Sequence, residues 1–227
     1  MATHAWMMPL MLSLKVAAWA TIIATVTGVT AAWFLSRWRS ALADMVDAVL
    51  TLPLVLPPTV IGYYLLVLLG RRGWLGEYLA AWGVELVFTW QGAVVAAAIV
   101  AFPLVLKGAR AAFEEVDTHL EDAARLLGVS NWGVWCRVSL PLAARGILAG
   151  VLLAFARALG EFGATLMVAG SIPGRTQTLS IAIYEAVQQG EDATANFLVA
   201  LASVTCIAAL WGARWLSPRH IRMGRRQ

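Results

Sequence analysis

Five stretches of this chain are each long and apolar enough to cross a membrane, and that excludes a soluble fold. A hydrocarbon core of about 30 Å takes roughly 20 helical residues. Runs near 16–35, 48–70, 86–106, 146–169 and 195–213 meet that length. The chain carries 17 Lys and Arg and 13 Asp and Glu in 227 residues, and only Arg157 and Glu161 fall inside the runs. Charged residues make up 13%, about half of the roughly 25% usual in soluble domains. With 60% apolar residues, disorder is excluded as well. The runs are continuous rather than alternating, which favours helices over barrel strands. The predicted fold class is all-α: a polytopic membrane bundle of five transmembrane helices, forming one membrane domain over 1–227.

The distribution of Lys and Arg predicts orientation, because basic residues stay on the cytoplasmic side. One set of loops and tails holds Arg37, Arg39, Lys107, Arg110, Arg125, Arg137, Arg145, Arg214, Arg219, Arg222, Arg225 and Arg226. The opposite side holds Lys15, Arg71, Arg72 and Arg175. The first set is therefore read as cytoplasmic, with the N-terminus outside and the C-terminus inside. The net charge of +4 follows from this bias and is not read as a nucleic-acid footprint. The first run lacks a basic flank before it and is followed by SRWR, so it is expected to be a retained helix rather than a signal peptide. Cys136 and Cys206 imply no disulfide framework. His4, His119 and His220 show no metal-ligand spacing, and no convergent catalytic set of His, Cys and carboxylates is visible. No catalytic residue, metal site or cofactor on this chain is expected.

The stretch 107–145 is predicted to be a cytoplasmic loop with helices of its own. Val116, Leu120, Ala123, Ala124 and Leu127 recur at helical spacing. Glu114, Glu115 and Asp117 suit an N-terminal turn and Gly128 a C-terminal stop. Ser130 is predicted to cap a second short helix, ended by Leu140-Pro141. By itself this pattern also fits an amphipathic hairpin lying on the headgroups.

The wording of the segment resolves that ambiguity. E-D-A-A-R-L-L-G, nine further residues, then V-S-L-P closely resembles the signature cytoplasmic loop of ABC importer permeases. The matching positions are Glu121, Ala123, Ala124, Gly128, Val138, Leu140 and Pro141, with Val138 where the family often has Ile. The resemblance implies the type I importer permease fold and a loop that docks on an ATP-binding subunit. Small residues at 123 and 124 would seat the helix closely, and Glu121 would meet a basic residue of the partner. No G-x-x-x-x-G-K-[ST] loop is present, so ATP and Mg2+ are expected to be used by a separate ATPase.

Two more segments are similar to the permeases of molybdate importers and, less closely, of sulfate/thiosulfate and tungstate importers. They are LPLVLPPTVIG and the run from Phe155 to Glu191. The partners this implies are a second copy of the chain, two copies of the ATPase and a periplasmic molybdate-binding protein, in a bacterial inner membrane. Pro57 and Pro58 predict a bent helix, either a kink or part of the path. Arg157 and Glu161, four apart, are expected to share a helix face. Ionisable groups at membrane depth usually face the protein interior. The readings left open are a neutralising pair, an oxyanion contact at Arg157, and a gate. Gly160, Gly163 and Gly170 are read as sites of close approach or local breaks. SIPGRTQTL and residues 71–85 are expected to form part of the binding-protein surface. A stand-alone channel or ion-coupled carrier is the rival from another class. It would need no cytoplasmic docking element, and coupled carriers commonly carry internal repeats that are not visible here.

Overall fold

The computed structural model describes residues 6–38 and 40–216. Arg39, His4, His220 and the tail arginines at 219, 222, 225 and 226 lie outside them. Among the described residues all regular structure is helical. Three long helices make the centre: α1 (Met7–Arg37), α5 (Trp90–Glu114) and α8 (Leu140–Leu159). Their contact surfaces are built from alanine, including Ala17, Ala20 and Ala24 on α1, Ala97, Ala101 and Ala109 on α5, and Ala143 and Ala154 on α8. Lipid supplies no hydrophobic drive between helices, so close van der Waals packing of small residues has to hold them together. At the α5–α8 crossing a Cβ on Gly108 would stand 3.0 Å from Gly150 Cα, and one on Gly146 2.5 Å from Ala112 Cβ. Three hydroxyls of α1 are satisfied within the helix. Thr21, Thr27 and Thr30 each donate to the carbonyl four residues back, at 2.7 Å, which removes the cost of a bare hydroxyl in hydrocarbon.

Two of the expected spans, 48–70 and 146–169, differ from simple rods. The run 48–70 is broken into α2 (Ala41–Val55) and α3 (Pro58–Leu69), which meet at 109°. Proline disfavours the helical conformation in the residue before it. Leu56 and Pro57 accordingly take ψ of 140° and 135°, and Pro58 restarts the helix. A short helix α4 (Trp74–Ala81) then leads to α5. The run 146–169 is also discontinuous: α8 ends at Leu159, and α9 covers Gly163–Ala169. Helices α10 (Leu179–Gln188) and α11 (Asp192–Leu216) complete the chain. Among the described residues four helices are long and apolar enough to cross a membrane, and the bent pair α2–α3 brings the number to five if it is counted as one span.

The loop expected to be cytoplasmic is shorter than 107–145. Residues 107–114 are the last two turns of α5, and 140–145 the first turns of α8. Between them lie α6 (Thr118–Leu126) and α7 (Asn131–Val134), and α7 runs through a π-helical turn at Trp135–Ser139 straight into α8. Pro141 therefore does not stop a helix. In an α-helix its ring would clash with the carbonyl four residues back, and the wider π turn just before it lets the axis continue. The basic residues separate by end. Arg37, Lys107, Arg110 and Arg125 engage Glu121, Asp47, Glu114 and Asp122 at one end. At the other, Lys15 lies 3.5 Å from the Trp90 ring and Ser13 Oγ accepts from the Leu179 N–H.

Candidate functional site

The α6–α7 segment is organised around one buried carboxylate. Asp117 opens α6, its Oδ1 accepting the His119 N–H at 2.9 Å. One turn on, Glu121 is only 3% exposed. Its Oε1 accepts from Ser139 Oγ at 2.6 Å and pairs with the Arg37 guanidinium, while Oε2 lies 3.4 Å from Arg125 Nη2. Burial raises the Glu121 pKa, but the Ser139 hydroxyl and the Arg37 and Arg125 charges outweigh it. The net result holds the carboxyl below its ordinary value of 4.5. The expectation that Glu121 reaches out to a partner's basic residue is therefore corrected: its carboxylate is turned inward onto α1 and the π turn.

Gly128 ends α6 with φ of +83°. Its N–H donates to Arg125 O at 2.9 Å, and the Val129 N–H to Ala124 O at 3.1 Å, the paired bonds of a Schellman cap. Ser130 Oγ caps α7 by accepting the Gly133 N–H at 3.2 Å. Ala123 is exposed and Ala124 half-buried. Around them stand the bare side chains of Leu120, Leu126, Leu127 and Trp132, with Leu126 and Leu127 89% and 85% exposed. This is an apolar tip with no lipid-length run, on the basic end of the bundle. Val138, Leu140 and Pro141 belong instead to the helical stem behind it.

A joint of aromatic rings ties the segment to α1. Trp132 stacks on Trp135 at 4.7 Å, Trp135 meets Trp33 edge-on at 6.4 Å, and Arg37 Cζ lies 5.1 Å from the Trp33 ring. Arg37 and Ser139 are direct partners of Glu121 that sequence reasoning missed. Arg37 entered only as a topology charge.

The second group of expected residues gathers where the two broken helices meet. A Cβ on Gly163 would stand 3.1 Å from Pro58 Cβ, so the α8–α9 break lies against the start of α3, with Pro57 as the residue before it. Gly160 closes α8, and Glu161 falls in the break, not on a shared helix with Arg157. Glu161 is 2% exposed and its Oε1 caps α9 by accepting the Ala164 N–H at 2.8 Å. Arg157 Nη1 lies 2.6 Å from Oε2. The pair expected from four-residue spacing thus forms across a break. Gly170, with φ of +66°, turns the chain beneath the Phe88 ring. Of SIPGRTQTL, only Pro173, Gly174 and Arg175 are exposed. The rest is knotted by Thr176, which is fully buried and whose Oγ1 accepts the Ile172 N–H at 3.0 Å.

Comparison with known proteins agrees with this architecture. Residues 24–222 match the family described as "Binding-protein-dependent transport system inner membrane component". The molybdenum transport system permease protein ModB of Escherichia coli K12 is 46% identical over 210 residues, covering 90% of this chain and 92% of that protein. The sulfate transport system permease protein CysT of the same organism is 36% identical over 207 residues, 91% of this chain and 74% of that protein. Among solved structures, an inward-facing MetNI methionine ABC transporter superposes with a TM-score of 0.71 at 15% identity, covering 94% of each chain. That likeness shows the fold to be the one used by ABC importer permeases.

Proposed function

Because the chain belongs to the binding-protein-dependent transport system inner membrane component family, we propose that it is the permease subunit of an ATP-driven molybdate importer. The observation that carries this reading is its near-full-length likeness to a molybdenum permease, well above its likeness to a sulfate permease. Two copies pair in the inner membrane. Each offers its α6–α7 tip to one ATPase subunit, and a periplasmic binding protein delivers the anion to the opposite mouth. The basic end carrying Arg37, Lys107, Arg110 and Arg125 is cytoplasmic, which leaves the N-terminus outside and the C-terminus inside. ATP and Mg2+ are used by the partner ATPase, and this chain makes or breaks no covalent bond.

The exposed Leu120, Leu126, Leu127 and Trp132, grouped round Ala123 and Ala124, supply the contact with the ATPase. Gly128, set by its cap, fixes the angle at which they are shown. Val138, Leu140 and Pro141 carry the resulting motion into α8 as a continuous helix. Pro57, Pro58, Gly160 and Gly163 form the flexible junction beside the path. The Arg157–Glu161 pair neutralises itself and holds α9 in place, which supports a structural role over tight oxyanion binding. A path must release what it admits.

The test is ATPase stimulation in proteoliposomes holding this chain, its ATPase and the cognate binding protein. Molybdate-loaded binding protein is expected to stimulate hydrolysis and uptake. Stimulation by sulfate alone would move the substrate to the sister family, and accumulation without the ATPase would refute an ATP-driven importer.

A further inference from the structure

We infer that Arg37, at the end of α1, is a positioning residue that latches the α6 helix to the membrane bundle, so that α6 moves with α1. The inference rests on the reading of α6–α7 as the ATPase-coupling segment.

A tip that is pulled on must be attached to something, and the covalent attachments of α6 are weak. It joins α5 through Glu115–Asp117 and α7 through the glycine turn at Gly128. A nine-residue helix is marginal without tertiary contacts, and the side chains of its tip are bare. The attachment that remains is Glu121. Its carboxylate is buried, and it faces Arg37 from α1, Ser139 from the π turn and Arg125 from its own helix. Ser139 ties α6 to the helix that continues into α8; Arg37 is the one of these donors that brings a full charge from outside α6, and it stands on α1, which the alanine seam fixes in the bundle.

The guanidinium is itself held. Its plane sits by the Trp33 ring, and Ser36 Oγ lies 3.4 Å from Nη1. Trp33 touches Trp135, which stacks on Trp132 of α7. So α1 reaches the coupling segment by two routes from residues one turn apart, an ionic route to α6 and an aromatic route to the π turn. Force on the tip is transmitted to α1 as well as to α8.

The test uses the full complex in proteoliposomes, with anions taken up per ATP hydrolysed as the readout. Arg37→Gln is expected to leave ATPase co-purification intact while uptake per ATP falls about tenfold, the factor set by losing a charge-assisted bond. Arg37→Lys, which keeps the charge, is expected to recover most of it. An unchanged ratio in Arg37→Gln would overturn the latch. If that variant does not insert, Arg37→Cys with Glu121→Cys decides: joining the two thiols with a short cross-linker is expected to restore coupling. Blocked transport after cross-linking would mean that α6 must leave α1 during the cycle, and would overturn the latch. Leu127→Asp serves as the separate control. If it left ATPase association unchanged, the coupling-segment reading would fail, whatever Arg37 does.

Discussion

Gly128 allows the shape of the coupling segment to be tested by a graded series. At φ of +83° an L-residue meets its own carbonyl, at a cost of roughly 1–2 kcal/mol. A Cβ at this position would have nothing within 4 Å, so no packing change confuses the measurement and the cost is that of the backbone alone. Gly128→Ala should therefore weaken the cap by about 1 kcal/mol, a factor of about five. Gly128→Asn should cost less, since Asn tolerates the left-handed region. Gly128→Val should cost more, because a β-branched residue does not. Gly128→Pro forces φ near −65° and deletes the N–H that donates to Arg125 O, so the cap cannot form. The local readout is amide exchange at Val129, whose N–H bonds Ala124 O. Protection should fall about fivefold in the alanine variant and order as Gly, Asn, Ala, Val. Affinity for the ATPase should follow the same order. At the limit where the segment orders only on docking, the loss for alanine reaches the same factor of about five, and a cap already formed shrinks it. Equal protection in the glycine, alanine and valine proteins would refute the reasoning, because it would mean that the left-handed turn is not held in solution.

Two further outcomes follow from the packing and the charges. Gly146→Ala places a methyl 2.5 Å from Ala112 Cβ, and overpacking of this kind costs about 1–3 kcal/mol. Thermal unfolding in detergent should show that loss, and Ala112→Gly in the same chain should recover most of it; additive losses would place the strain elsewhere. The second concerns Glu121, whose folded pKa lies below its ordinary 4.5. Its contribution is complete above the ordinary value and is lost as pH falls through the folded one. The stability gap between the parent and Glu121→Gln should thus be constant above about pH 5 and shrink only in acid. A gap that closed well above pH 5 would refute the assignment to Glu121.

What was legible in the sequence is what local chemistry decides. Continuous apolar runs located the spans, and a serine before a short helix and a glycine after one marked caps that the structure forms. The prolines at 57 and 58 announced a bend, but the 109° between α2 and α3 depends on what packs against each half. Four-residue spacing correctly paired Arg157 with Glu161, yet for the wrong geometry. The same reach is met when the chain breaks at Gly160 and Glu161 caps the helix that follows. Pro141 misled for a related reason: a proline stops an α-helix, and the one-residue widening at Trp135–Ser139 that lets it pass leaves no mark in a periodicity of 3.6.

Arg37 exposes the deeper limit. As one of twelve basic residues it counted towards sidedness, and for that purpose any of the twelve would serve equally. Its bond to Glu121 spans 84 positions, and no local pattern at either end predicts it. Both uses nevertheless require the same thing of the chain. In the proposed orientation a basic residue at the cytoplasmic end of the first span fixes how that helix inserts, and it leaves a guanidinium at the depth where α6 lies. A buried carboxylate on that helix needs such a donor, since an unpaired charge there would cost several kcal/mol. Insertion therefore brings the two groups to the same level, and folding has only to bring them together.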